Sequence, residues 1–378
     1  MAKIDVKPSL LEWALTRAGS RADTIRTRHK VADWIAESDK PTLRQLEAFA
    51  KAAYLPIGYL FLTEPPEETL PLPDLRTISD QGVRRPSADM LDTVHACLSR
   101  HDWYRDYQIK NNASDLDFVG SCRITESPID AAAKIRSRLG VAQGMRRAPD
   151  LESAVREFAY QIESIGVLVM LNSIVGSNTR RALNVDEFRG FAIADTLAPL
   201  IFVNTADAKS AQMFTLAHEL CHIWLGNSAI SNSELISTHA DGIEKWCNAT
   251  AAEILVPQEA IREMIGNTNG LDRLDALKRR FMVSGSVILR RLMELKYITR
   301  ERFFSEYATE RALYEQRSTD GQANFYAVHS NRVGRRFAKA VMADTLEGKT
   351  LFRDAFHMLG ISKRETFNEL GRYIGAIQ

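Results

Sequence analysis

The 378-residue sequence is poor in cysteine: Cys97, Cys122, Cys221 and Cys247 stand far apart, and no C-x-x-C pair occurs. That spacing argues against a disulfide framework and a structural zinc knuckle, and reads as free or buried thiols in a reducing compartment. Charge of one sign is also missing. With 49 Lys and Arg against 48 Asp and Glu, the net charge is +1, so any attraction to nucleic acid must come from a local patch. Long hydrophobic runs are absent: Ile165 to Leu171 is far too short to cross a bilayer, and Met1 to Leu11 has no apolar core of signal-peptide length. These absences imply a cytoplasmic protein with no membrane association. No repeat of fixed period and no low-complexity tract occurs, and hydrophobic residues at 45% with charged residues at 26% match ordinary globular usage. A chain of this length is expected to form two or three compact units.

Residues 8 to 63 read as short helices. Leu10, Leu11 and Leu15 mark one apolar stripe and Leu43, Leu46, Phe49 and Ala50 another, the second starting at Pro41-Thr42 with Thr42 as cap. The run Pro65-Pro66-Glu67-Glu68 through Pro71, Pro73 and Asp74 cannot continue a helix and marks a boundary. Residues 86–110 and 128–160 again read as helical. The pattern then changes: Ile165 to Leu171, Gly190 to Ala194 and Leu200 to Val203 are short β-branched or aromatic runs between polar turns, and read as strands. A helix follows from about Ala208 to Leu225, with Thr205 or Asp207 as cap and Gly226 as stop, and another from about Gly242 to Leu255 ends at Pro257. Beyond that the chain reads as helical, with a break at 318–324.

Inside the first of these two helices lies His218-Glu219-Leu220-Cys221-His222. A helix advances about 100° per residue, so His218 and His222 share one face and can meet one ion. Glu219 sits beside that face, where its carboxylate can reach a metal-bound water as a general base without ligating the metal. Leu220 points the other way, into the core. Catalytic zinc takes three protein ligands, so a third must come from elsewhere. Glu244, 22 residues after His222 at the start of the next helix, suits that place. Asn248, four residues on, is suited to hydrogen-bonding a ligand. Glu253 is the rival, but it lies about 180° round the same helix, so both cannot face the metal. The bland alternative is two histidines on a core helix.

At Phe214-Thr-Leu-Ala-His-Glu-Leu-Cys-His222, at Glu244-Lys-Trp-Cys-Asn-Ala-Thr-Ala-Ala-Glu-Ile-Leu-Val-Pro257, and at Gly190-Phe-Ala followed by Pro199-Leu-Ile-Phe-Val-Asn204, the chain resembles the ImmA/IrrE family of metallopeptidases. The resemblance is specific over about residues 151–300. It implies one zinc ion per chain held by His218, His222 and Glu244, with Glu219 as general base. It implies a regulatory peptidase cleaving a repressor, antitoxin or other partner protein, in a toxin–antitoxin or stress-response setting. The implied fold is α+β and mostly helical: a zincin-like core, a small sheet plus the H-E-x-x-H helix, flanked by helical N- and C-terminal domains. The expected division is a helix-turn-helix-like domain at 1–67, a helical connecting region at 68–150, the metallopeptidase core at 151–265, a helix-turn-helix-like subdomain packed on it at 266–305, and a helical extension at 306–378. Where the family often has glycine, this chain has Cys221, a redox-sensitive thiol or, more simply, a buried bystander.

The N-terminal helices resemble a repressor-type helix-turn-helix in Leu10-Leu-Glu-Trp13 and in Trp34 followed by Pro41-Thr42, with the middle helices shortened between Gly19 and Trp34. Arg21, Arg26, Arg28, His29 and Lys30 form a basic cluster that fits DNA phosphates as well as it fits a solvated face. Lys278-Arg-Arg280, the turn at Met282-Val-Ser284 and Arg290-Arg291 look like two more helices meeting at a turn. Their apolar stripe of Leu277, Phe281, Val287, Ile288 and Leu292 favours packing on the core. In the last segment Phe325-Tyr-Ala-Val reads as a short strand, Arg335–Ala343 and Lys363–Tyr373 as helices, and His329 and His357 as structural. Two further expectations concern catalysis: an extended substrate pairing with the strand Leu200 to Val203, and His239 as an oxyanion donor. The rival class is a DNA-binding regulator, or an antitoxin-like interaction protein, that keeps the peptidase fold only as a scaffold.

Overall fold

The computed structural model describes residues 2–73, 86–141, 148–231, 242–266, 268–315 and 324–377. These divide into two compact units, one formed by the residues up to Pro71 with those of 86–95, the other by Leu72, Pro73 and the residues from 96 onward. Asp74, His239 and the expected break at 318–323 lie outside the described residues.

In the first unit, α1 (Pro8–Ala18), α2 (Ala22–Arg28), α3 (Val31–Ile35) and α4 (Leu43–Ala52) enclose a core of Leu10, Leu11, Leu15, Ile25, Trp34, Leu46 and Phe49. The shortened middle helices expected from the sequence are these seven- and five-residue segments. Thr42 caps α4 through a reciprocal box with Gln45, which satisfies two amides that the first helical turn leaves without partners.

From residue 96 the second unit takes in the rest of α5 (Ala88–Lys110), then α6 (Pro128–Arg138) and α7 (Leu151–Ser164). The stretch 128–160, read as helical throughout, ends its first helix at Arg138, with Leu139 as its cap before Gly140, whose φ of 71° suits glycine. A mixed four-stranded sheet follows in the order β1-β3-β2-β4, from β1 (Leu168–Asn172), β2 (Gly190–Ile193), β3 (Leu200–Asn204) and β4 (Ala229–Ser231). β1 pairs parallel with β3, and β2 antiparallel with β3 and β4. Every residue of β1, β2 and β3 is buried, which explains why these strands read as continuous apolar runs and not as alternation. Alternate side chains still separate: Val169, Leu171, Ala192, Ile201 and Val203 join the main core with α8 (Lys209–Leu225), while Phe191 and Phe202 stack at 5.0 Å beside Phe188.

β3 is an interior strand, so the expected pairing of a substrate with Leu200 to Val203 is wrong: both its edges are already bonded, to β1 and β2. The sheet's outer strands are β1 and β4, and on β4 the Ile230 amide donates to Pro73 O at 2.9 Å.

After α9 (Gly242–Leu255) come α10 (Gln258–Ile265), α11 (Leu274–Phe281), α12 (Gly285–Glu294), α13 (Arg300–Glu315), α14 (Phe325–Val333), α15 (Arg335–Leu346), α16 (Phe352–Leu359) and α17 (Arg364–Ile374). The expected turn between α11 and α12 holds Met282 at φ 53°, and Leu277, Phe281, Val287, Ile288 and Leu292 are all in the core. Phe325-Tyr-Ala-Val is helical, not a strand. Asn324 Oδ1 accepts from the amides of Tyr326 and Ala327, and His329, Ser330 and Val333 recur on the buried face, so a cap and a helical stripe outweigh local β-propensity. The described residues are thus mostly helical, with one small mixed sheet among them. No helix among the described residues is long and apolar enough to cross a membrane.

Candidate metal centre

α8 carries His218 and His222 and spans the core beneath β2 and β3. Its start departs from expectation: neither Thr205 nor Asp207 caps it, and the residue before the helix is Ala208, without a side-chain bond. The Gln212 carboxamide reaches back instead, donating to Thr205 O and Asp207 O at 3.1 and 2.6 Å. Its end is closely held. Gly226 adopts φ 69° as the stop, Gly120 and Cys122 donate their amides to the carbonyls of Ile223 and Trp224, and Trp224 stacks on Phe118 at 4.3 Å. The terminal carbonyls that a helix leaves unbonded are therefore occupied, which fixes the last turn where His222 sits.

α9 packs against α8 and presents Glu244 in its first turn, where the helix dipole favours a negative charge. Glu244 Oε2 lies 3.2 Å from His218 Nε2 and Oε1 lies 3.1 Å from His222 Nε2. The two Nε2 atoms are 3.1 Å apart, and all three residues are buried. One turn along α9, Asn248 Oδ1 stands 3.0 Å from His218 Nδ1. Because a carboxamide oxygen only accepts, the ring carries its proton on Nδ1, and Nε2 turns a lone pair toward Glu244.

Lone pairs facing one another at about 3 Å repel unless a cation lies among them. A tetrahedral zinc with bonds near 2.05 Å would separate its ligands by about 3.3 Å, close to the spacings found here. The cluster His218, His222 and Glu244 is therefore able to hold a metal ion. Glu219 is buried on the same helix and faces Gly190 of β2: a β-carbon on that glycine would stand 3.1 Å from Glu219 Oε1 and 2.7 Å from Thr215 Cγ2. Only glycine lets the strand approach the carboxylate so closely.

Several other sequence-level candidates have structural posts. Glu253 Oε1 accepts from the Gln258 amide at 3.0 Å and Oε2 pairs with Arg291, away from the cluster. Cys221 donates its thiol to Ala217 O at 3.1 Å, and burial pushes its pKa well up, as befits an unreactive bystander. Leu220 is fully buried. His329 is buried with Nε2 2.8 Å from Leu359 O. In the first unit, Arg21 lies over Tyr54 and pairs with Asp89, so it is committed locally. Arg28, His29 and Lys30 instead line an open groove of about 600 Å3 together with Lys3 and Arg44. Sequence reading passed over those last two because they lie outside the basic run.

A family model described as an IrrE N-terminal-like domain matches residues 162–293, from the end of α7 to α12. A second model, for a domain of unknown function, matches residues 333–373. The radiation response metalloprotease IrrE of Deinococcus radiodurans is 35% identical over 105 residues, which is 25% of this chain and 31% of that protein. The chain thus spans about a third of the length of the curated relative it matches. The segment that carries the three-donor cluster is thus similar to an IrrE N-terminal-like domain and to a metalloprotease.

Proposed function

We propose that the protein is a zinc-dependent endopeptidase of a regulatory type, acting on a partner protein. The observation that carries this reading is the convergence of His218 Nε2, His222 Nε2 and both Glu244 oxygens at 3.1–3.2 Å, which suits one zinc ion. Bound there, zinc would supply Lewis acidity toward a peptide carbonyl and toward water. Glu219 takes the proton from the attacking water and returns it to the leaving amine. Asn248 holds the His218 ring so that Nε2 faces the site. Gly190 keeps β2 close beside Glu219, narrowing the space in which that carboxylate can move. Kinship with a radiation response metalloprotease supports a regulatory setting. Residues 1–67 and 306–378 serve in this reading as arms that select the partner.

Metal analysis of purified protein, paired with Glu219→Gln, tests it. Near-stoichiometric zinc is expected, with peptide hydrolysis reduced by at least 10²–10⁴-fold in the variant. Absence of metal, or full activity in the variant, would overturn the reading. The same inactive variant should retain its substrate in a pull-down.

A second reading rests on the groove of Lys3, Arg28, His29, Lys30 and Arg44 in the first unit: this unit contacts DNA phosphates. Gel shifts should then weaken steeply with salt, and no shift at low salt would remove it.

A further inference from the structure

Within the second unit, a cavity of about 90 Å3 opens where the peptidase domain meets the C-terminal extension. Its walls include Arg156, Tyr160 and Glu163 of α7 on one side and Ser330, Arg335 and Tyr373 of α14, α15 and α17 on the other. It shares no residue with the metal cluster, and nothing in the peptidase chemistry uses it.

Its charged groups are unevenly satisfied. Arg335 donates from Nη2 to Ile374 O at 3.0 Å and lies over the Tyr160 ring, yet its buried Nε finds no acceptor among the described residues. Among the described residues Arg156 pairs with Glu152 at 3.8 Å and donates to Ser153 Oγ at 3.0 Å, both on its own helix. Glu163 Oε1 is taken by the Arg336 amide at 2.9 Å. Two arginines outnumber the one carboxyl, so the walls carry net positive charge, and Glu163 when ionised penalises a second negative charge beside it. The volume admits only a few heavy atoms, a water molecule taking about 30 Å3 in the liquid. Tyr160 and Tyr373 are half-exposed at the rim and offer flat apolar contact.

We propose that this cavity binds a single carboxylate group between Arg335 and Arg156, with Tyr160 and Tyr373 flanking the carbons that carry it. A planar monoanion matches the planar fork of the guanidinium and the net charge of the walls. The carboxylate comes either from a small free acid or from an Asp or Glu side chain of a protein partner. Burial pushes Glu163 up to about 7, so near neutrality its repulsion of the bound anion is weakened.

Ligand-observed NMR on the full, metal-loaded chain at constant ionic strength tests the site, with acetate, propionate, an end-capped Gly-Gly-Glu-Gly-Gly peptide and inorganic phosphate as probes. Saturable binding of at least one carboxylate probe is expected, weaker by about tenfold or more in Arg335→Met and in Arg156→Met, and retained in Glu163→Gln. Preference for acetate and propionate identifies a free acid, and preference for the peptide identifies a partner side chain. Arg335→Met also removes the bond to Ile374, so Arg156→Met, whose polar partners among the described residues lie on its own helix, guards against misfolding. The proposal is overturned by the absence of saturable carboxylate binding, by binding indifferent to both substitutions, or by phosphate binding as tightly as the carboxylates. None of these outcomes bears on zinc content or on the Glu219 test.

Discussion

At the scale of single residues, the imidazole of His218 is oriented from α9. Asn248 Oδ1 accepts a hydrogen bond from Nδ1 at 3.0 Å, which leaves the Nε2 lone pair facing His222 and Glu244. Replacing Asn248 with Ala removes that acceptor from a buried ring, so zinc affinity should fall about 10–100-fold in competition with a chromogenic chelator, while Asn248→Asp keeps an acceptor and loses less. Equal affinity in Asn248→Ala and the parent would show that packing alone orients the ring. Glu163 supports a different kind of expectation. Burial raises its pKa to about 7, against the opposing effect of Arg335 and Arg336. The folded protein holds that proton more tightly than the unfolded chain, so its contribution to stability is full below about pH 4.5 and is lost as pH rises toward 7, after which it is flat. Denaturant unfolding across this range should show Glu163→Gln losing less stability than the parent between pH 5 and 7, by an amount on the order of 3 kcal/mol at most. Parallel pH profiles for the two proteins would contradict it.

At the scale of elements, what could be read in the sequence was what periodicity and caps determine. Four-residue spacing places His218 and His222 on one face whatever surrounds the helix, and Gly242 to Leu255 ends before Pro257 as proline requires. The distance between the two helices could not be read, and Glu244 joins the histidines only because α9 packs on α8. Nor could β4 be foreseen: Ala229–Ser231 is three residues long and becomes a strand only because β2 presents an edge for it. Phe325 to Val328 misled for the converse reason, since its aromatic and β-branched content suits a strand while Asn324 starts a helix. The rival ligand Glu253 was separable on angle alone, and the structure supplies its post: Arg291 of α12 pairs with it, and Arg291 Nε donates to Val256 O at 3.1 Å. This pair ties α12 to the end of α9. Arg291→Ala leaves the Glu253 carboxylate buried and uncompensated, which should cost about 3–5 kcal/mol in chemical denaturation. The double variant Arg291→Met with Glu253→Gln should recover much of it. A single variant within about 0.5 kcal/mol of the parent would mean that the carboxylate finds water or protonates without loss.

At the scale of the whole molecule, the described residues form two compact units with separate cores, one of Leu10, Leu46 and Phe49 and one around the sheet and α8. The clustered metal donors belong to the second alone. A ligand that binds only the folded form of one unit stabilises that unit by mass action, by about 4 kcal/mol when the free metal exceeds its dissociation constant a thousandfold, and does nothing for a unit that unfolds independently. Calorimetry should therefore resolve two transitions, because units of this kind with their own cores unfold as separate cooperative steps. Removing metal with a chelator should lower the larger transition by several degrees, and restoring zinc should bring it back, while the smaller transition stays in place. His222→Ala, which deletes one donor, should make the larger transition insensitive to chelator. If instead both transitions move together, the two cores are energetically one, and the first unit senses the state of the metal centre. If neither moves, His218, His222 and Glu244 hold no structural quantity of metal, and the peptidase reading loses the observation on which it stands.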